Sequence, residues 1–86
     1  RTSDYIFCDV EFEAGGKTYC YLADDDSYEV NDTVLVPAGP DNHEALVRIV
    51  AKNYYSAEDA PFPVDKAKHI IKRIDEDEIE EYLFRD

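Results

Sequence analysis

Apolar and polar residues alternate along residues 5–13, which is the spacing of a half-buried β-strand. Gly15-Gly16 follows, and paired glycines allow the positive φ angles of a tight hairpin turn. The return strand falls on Thr18–Ala23, which is rich in aromatic and β-branched residues. A two-residue turn at the glycines would set Phe12 opposite Tyr19. The face turned towards the core would carry Ile6, Cys8, Val10 and Phe12.

Residues 28–39 form the stretch around which the other strands are predicted to be arranged. Asn31 tolerates left-handed backbone angles and Asp32 can bond its own backbone, so the pair predicts a turn. The apolar run that follows is short enough for a strand buried on both faces. We predict this third strand over Thr33–Ala38, before a loop of breaker residues at 39–44.

The fourth strand is predicted over residues 45–54, which are dense in apolar side chains. A short helix is the competing interpretation, because an apolar run alone does not decide between the two. Pro61 and Pro63 exclude a continuous regular element over residues 56–63. Phe62, between these prolines, is predicted to plug one end of the core.

Residues 64–74 fit two structures. Their apolar residues recur at helical spacing, but Ile70-Ile71 also suits a strand. A small barrel needs a closing strand, since open edges are a liability. We therefore predict one helical turn over residues 64–66 and a strand over residues 68–74.

Residues 75–86 are sharply more acidic than the rest of the chain. Asp75 and Glu78 have the spacing of a capping box, and acids in a first turn suit the helix dipole. We predict a short C-terminal helix here. The chain is thus predicted to be one mainly β (β-rich α+β) domain, with a small five-stranded SH3-like barrel over residues 4–74 and the helix over residues 75–86.

The hairpin with Gly-Gly-Lys and the stretch Tyr-Glu-Val-Asn-Asp-Thr-Val-Leu-Val-Pro-Ala-Gly resemble a small barrel domain of bacterial and phage proteins. The pattern over residues 4–74 is similar to the N-terminal 3′-end-binding barrel of primosomal replication helicases. The resemblance implies an SH3-like fold. Those helicase domains bind a DNA end, but here Asn31 replaces the usual turn glycine and the charge is negative, so no functional residue is carried over.

The net charge of −12 is the strongest fact of composition. It argues against general binding to phosphate backbones, which needs clustered Lys and Arg, and it favours a basic partner. No apolar run approaches the roughly 18 residues of a membrane span, and residues 1–10 show no signal-peptide pattern. The absence of Met predicts an excised domain or a processed product.

Two cysteines, Cys8 and Cys20, would point to opposite faces of the hairpin. A shift of the register by one residue would put both on one face, with Cys8 opposite Leu22. Neither register sets the two cysteines opposite each other with disulfide geometry. We predict two free thiols and a reducing compartment, the cytoplasm. With His43 and His69 they are also too scattered for a zinc site.

Acidic residues supply the candidate partner-binding site. A calcium loop of the EF-hand type beginning at Asp24 would need Gly at Glu29 and Glu at Leu35, so we predict a solvated loop without metal. The acidic C-terminal helix is either a partner-binding element or a docked terminal helix with a solvated outer face. The candidate partner-binding residues are Asp24, Asp25, Asp26, Glu78, Glu81, Tyr82 and Phe84.

The sequence also contains one cluster of basic residues. Its favoured interpretation is a counterweight to the acidic loop or tail, and its alternative is weak nucleic-acid binding. The cluster comprises Lys66, Lys68, His69, Lys72 and Arg73.

No nucleophile elbow, phosphate-cradling loop or dinucleotide fingerprint is present in the sequence. We therefore predict no enzyme and no cofactor. The first functional hypothesis is a non-enzymatic accessory or protein-interaction module. The alternatives are an acidic mimic of nucleic acid that blocks a basic DNA-binding protein, and a weak nucleic-acid binder. The sequence leaves the partner and the oligomeric state open.

Overall fold

Five antiparallel strands and one short helix make up the regular structure of residues 4–83, the part of the chain that this computed structural model describes; for Tyr82 the description covers the backbone alone. The mainly β class is confirmed. The strands form one sheet in the order β2-β1-β4-β3-β5. The elements are β1 (Tyr5–Glu11), β2 (Thr18–Ala23), β3 (Thr33–Ala38), β4 (His43–Tyr55), β5 (Lys72–Arg73) and α1 (Glu76–Leu83).

The first hairpin forms as predicted, but its predicted register is wrong. Val10, not Phe12, lies opposite Tyr19. Residues 12–17 form a wider loop, in which the Gly16 N–H donates to the Glu13 carbonyl at 2.9 Å. Gly15 has φ +75°, a conformation that glycine adopts without strain. The shift equals one full strand period, so the residues within β1 and β2 keep their predicted faces. The prediction for Phe12 is wrong, because this residue lies beyond the end of β1 and its ring is 41% exposed instead of facing the core.

Strand β3 and the turn before it match the prediction. Asn31 adopts φ 82°, and the Asp32 carboxylate accepts a hydrogen bond from the Glu29 N–H at 2.9 Å. The Asp32 N–H also donates to the Glu29 carbonyl at 3.0 Å, and the resulting β-turn delivers the chain into the sheet. Val34, Leu35 and Val36 are all buried, so both faces of the strand are covered.

The competing helix over the fourth segment is excluded, because β4 runs the full 13 residues from His43 to Tyr55. Its length lets it pair with β1 on one side and β3 on the other. Val47 and Ile49 are buried, while Arg48 between them is exposed. The core therefore lies on one side of this central strand, around residues from all the long strands.

Residues 56–63 contain turns and no regular element, as predicted, but Phe62 does not plug the core. Its side chain is 48% exposed. The two prolines that flank it fix the local backbone and leave the ring on the surface. The prediction for Phe62 is wrong, and the ring belongs to a surface groove described below.

Residues 68–74 form a shorter strand than predicted, since only Lys72–Arg73 qualifies. The segment crosses from one edge of the sheet to the other. Leu22 in β2 donates its N–H to the Lys68 carbonyl and accepts from the Ile70 N–H, both at 2.9 Å, and Ile71 then donates to Leu35 in β3 at 2.8 Å. A segment that changes partners after three residues cannot form one long ladder.

Helix α1 begins one residue after Asp75, whose N–H donates to the Glu78 carboxylate at 3.4 Å. This is one half of the predicted capping box. The predicted continuation over residues 84–86 lies outside the described residues. Within residues 4–83, no helix has the length and apolar composition needed to cross a bilayer.

Candidate binding surface

The acidic loop, Asp24–Asp26, uses each of its carboxylates within the molecule. Asp24 lies 2.7 Å from Nδ1 of His69, and Asp26 lies 2.7 Å from Nζ of Lys52. The Tyr54 hydroxyl also donates to Asp26. The side chains of Asp24 and Asp26 nevertheless remain 67% exposed.

Asp25 is held by the backbone and hydroxyl of Ser27, which both donate to its Oδ1, the backbone N–H at 2.8 Å. These hydrogen bonds to the charged form lower the pKa of the Asp25 carboxyl below its usual value. The loop is thus a set of local ion pairs and hydrogen bonds. It does not present three unengaged carboxylates to a partner.

The helical part of the predicted site has a different environment. Glu78 accepts a hydrogen bond from Lys72 at 3.2 Å, and this contact is the main reason why the pKa of Glu78 is lowered. Glu81 is exposed on α1. The Tyr82 side chain and Phe84 lie outside the described residues. No hydrogen bond or ion pair of the described residues joins Glu78 or Glu81 to the acidic loop.

Most of the basic cluster does act as an internal counterweight. Lys72 engages Glu78, His69 engages Asp24, and Arg73 engages Asp32 at 3.0 Å. Lys66 and Lys68 differ from these residues. Neither has a carboxylate partner within residues 4–83, and Lys68 instead donates to the Gly39 carbonyl at 2.8 Å.

These two lysines line a surface groove of about 800 Å³, which we call the aromatic groove. Phe12, Tyr19 and Phe62 are 41%, 48% and 48% exposed there. Phe12 and Tyr19 meet edge to face, with ring centroids 5.4 Å apart. Exposed aromatic side chains gathered in a concave surface are typical of binding sites. The lining residues that carry the argument below are Phe12, Lys17, Tyr19, Cys20, Phe62, Lys66 and Lys68.

A third lysine adds to the positive charge of the groove. Lys17 places Nζ 5.5 Å from the centroid of the Tyr19 ring, a cation–π distance. No carboxylate of the described residues pairs with it. By contrast, Arg48, Lys52, Lys72 and Arg73 each lie against an acid. All three lysines of residues 4–83 that have no carboxylate partner therefore line the same groove.

Cys20 lies on the wall of the groove, and Cys8 lies in the core. Both thiols are free, on opposite faces of the hairpin as predicted. The Cys20 thiol donates to the Asp9 carboxylate at 3.1 Å. Partial burial and this hydrogen bond raise the pKa of Cys20 to about 11, and burial raises that of Cys8 to about 11. Neither is an activated nucleophile, which needs a lowered pKa.

Sequence reasoning missed the groove because its residues come from four separate stretches. Phe12 and Tyr19 were assigned to the hairpin, and Phe62 was assigned to the core. One signal was available: Lys17 stands beside the Gly-Gly turn, where no acid lies at strand spacing to pair with it. Which lysines lack acids, however, depends on contacts between distant residues.

Across residues 4–83, no group of three or more His, Cys, Asp or Glu side chains is arranged to hold a metal ion. The groove offers aromatic surface, lysine charge and backbone groups to a ligand. Comparison with known proteins adds no likeness to this picture. No protein-family model, curated protein or solved structure matches the chain.

Proposed function

We propose that this chain is a non-enzymatic accessory module that binds a partner protein in the aromatic groove. The observation that carries the proposal is the coincidence of three exposed aromatic rings with the three lysines that have no carboxylate partner within residues 4–83. Aromatic residues dominate the energetics of protein interfaces, because they bury large areas at little entropic cost. The two free thiols support a reducing compartment, the cytoplasm.

The proposal includes a small SH3-like barrel as the fold. Its support is the segment 68–74, which hydrogen bonds first to β2 and then to β3, the two sides of the sheet that a barrel must join. Such a fold gives the groove a rigid floor. A rigid floor limits the entropy lost on binding.

The test is retention of a partner from extracts of the native cells, compared between the chain and two variants. Phe62→Ala removes a half-exposed ring from the groove, whereas Val30→Ala, at an equally exposed apolar residue outside it, is the control. We expect the chain and the Val30→Ala variant to retain the same partner protein. The Phe62→Ala variant should retain about tenfold less of it, or lower still. Equal retention by all three would overturn the proposal.

The second candidate function, an acidic nucleic-acid mimic, rests on the exposure that Asp24 and Asp26 keep despite their partners. A mimic would present these oxygens to a basic cleft. Its binding would weaken as salt rises, because exposed charges are screened. Three results together would favour this function over the first. The chain would retain a DNA-binding protein at low salt only, the double variant Asp24→Asn with Asp26→Asn would lose it, and Phe62→Ala would still retain it.

A further inference from the structure

Strand β2 has two unlike halves along its outer edge. Leu22 uses both its N–H and its carbonyl towards residues 68–70, so its backbone faces away from β1. Backbone groups alternate in direction along an antiparallel strand. Thr18 and Cys20 must therefore turn their N–H and carbonyl groups to the same outer side as Leu22. Within residues 4–83, no backbone group pairs with them there.

This open half of the edge borders the aromatic groove. Thr18, Tyr19 and Cys20 line it together with Phe62 and Lys66. An unpaired strand edge is a template for another extended chain. Native proteins commonly protect such an edge with lysine or cover it. Here the lysines stand beside an edge that is also next to exposed aromatic rings, a combination suited to binding.

The charge of the groove selects the occupant. Among the described residues that line the groove, Glu13 is the one carboxylate, against the three lysines. The chain as a whole carries −12, so this is a local positive region on an acidic molecule. A ligand with a few carboxylates gains from the lysines at short range. A long polyanion would also meet the repulsion of the remaining surface.

The rings also favour a peptide over nucleic acid. Bases stack on open aromatic faces, but the Tyr19 ring already has Lys17 near one face and meets the Phe12 ring edge to face. Among the described residues no arginine lines the groove, so these residues do not offer the bidentate fork that suits phosphate. Apolar side chains of a peptide can instead pack against Phe12 and Phe62.

We propose that the aromatic groove takes an extended, acidic segment of a partner protein, which adds as a strand beside Thr18 and Cys20. The proposal rests on the protein-interaction function above and names its ligand. Main-chain hydrogen bonds to the open edge hold the segment, its carboxylates face Lys17 and Lys66, and its apolar side chains contact the rings. Strand addition of this kind takes affinity from the backbone and specificity from alternate side chains.

The first experiment selects ligands from a displayed library of random peptides, with the full chain as bait in reducing buffer. We expect enriched peptides in which acidic residues alternate with apolar residues. Enrichment of proline-rich or basic peptides that depend on Phe62 would overturn the strand proposal and leave the interaction function standing. No enriched peptide that depends on Phe62 would contradict both.

The second experiment tests the backbone of the best selected peptide. N-methylation of one central amide should weaken binding by about tenfold when that amide faces β2. N-methylation of the adjacent amide, which faces away in an added strand, is the matched control. On binding, hydrogen exchange at the Cys20 amide should slow. Equal effects at both amides, or unchanged exchange at Cys20, would overturn strand addition.

The third experiment tests charge. Lys66→Gln should weaken peptide binding by about two- to fivefold. Lys72→Gln, which removes a lysine outside the groove, should leave the affinity unchanged. A labelled oligothymidylate serves as the competing ligand class. Tighter binding of that oligonucleotide than of any selected peptide, lost in Lys66→Gln, would overturn the proposal in favour of nucleic acid.

Discussion

The acidic loop and the aromatic groove are charged regions of opposite sign that use their charges differently. In the loop, Asp24 and Asp26 lie 2.7 Å from His69 and Lys52. In the groove, Lys17 and Lys66 have no acidic partner among the described residues. The loop is denser in charge along the sequence, yet its charges already stabilise the molecule. The lysines of the groove are spread along the sequence, and their charges remain available to a ligand.

The difference shows that the number of charges in a segment does not measure its capacity to bind a partner. An ion pair inside the molecule must be broken or shared before either charge can serve a ligand. A lysine without an internal ion pair can contact a ligand without first losing an acidic partner. Three exposed aromatic rings lie together with the available lysines, whereas the exposed Tyr54 beside the acidic loop has its hydroxyl engaged by Asp26. This grouping is why we place the partner in the groove.

Replacement of Ile70 should have the largest effect, because it disturbs both regions. Ile70 is 2% exposed, and its segment carries His69 to the acidic loop and Lys66 and Lys68 to the groove. Ile70→Ala should lower the free energy of unfolding by about 2–5 kcal/mol, the cost of a core cavity. Urea denaturation measures the change.

Its neighbour provides the control, since Ile71 is 46% exposed. Ile71→Ala should change the free energy of unfolding by no more than about 0.5 kcal/mol. Similar losses of unfolding free energy in both variants would mean that burial of Ile70 in the core does not stabilise the protein as described. The acidic loop and the aromatic groove would then not depend on the same buried segment.

A third charged site is the ion pair of Glu11 and Arg48, whose contribution to stability is expected to depend on pH. Nε of Arg48 donates to Glu11 at 2.8 Å, and this contact, with the Gly15 N–H, lowers the pKa of Glu11 from 4.5. A lowered pKa in the folded state stabilises the protein above the unfolded pKa. That stabilisation is lost as pH falls through the folded pKa.

Glu11→Gln should therefore be less stable than the original chain near neutral pH. The difference should begin to shrink as pH falls below about 4.5 and vanish once Glu11 is protonated in the folded state. Urea titrations at several pH values measure this. A difference that is constant over the whole range would show that the charge of Glu11 contributes nothing through Arg48.

The smallest effect is expected at Cys20, a groove residue whose thiol donates to the Asp9 carboxylate. Burial and the hydrogen bond to Asp9 raise its pKa to about 11, so at about pH 8 roughly one thousandth is thiolate. Asp9→Asn should lower this pKa in part, because burial remains. Alkylation by iodoacetamide, resolved by mass spectrometry, should become faster at that pH.

The control removes a carboxylate from the groove without touching the thiol. Glu13→Gln should leave the alkylation rate of Cys20 unchanged. An equal acceleration in both variants would assign the raised pKa to general negative charge. No acceleration in Asp9→Asn would assign it to burial alone.

Local sequence determined the first three strands and the turn before β3. The alternation in residues 5–13, the Asn31-Asp32 turn and the apolar run of Thr33–Ala38 each specify a backbone conformation within a few residues. Such signals depend on side-chain period and turn chemistry, which neighbours along the chain settle. The capping-box spacing at Asp75 likewise predicted where α1 begins.

Tertiary structure alone decided what these elements expose. It placed Phe62 on the surface instead of in the expected core, and it paired Lys72 and Arg73 with acidic residues. Within residues 4–83, it left Lys66 without an acidic partner. Within the same range, it paired the backbone of Leu22 on the β2 edge and left that of Cys20 unpaired there. Pairing and burial depend on which distant residues meet, and no local pattern contains that information. The sequence determined which elements form, and their packing decided which charges, rings and backbone groups remain available to a partner.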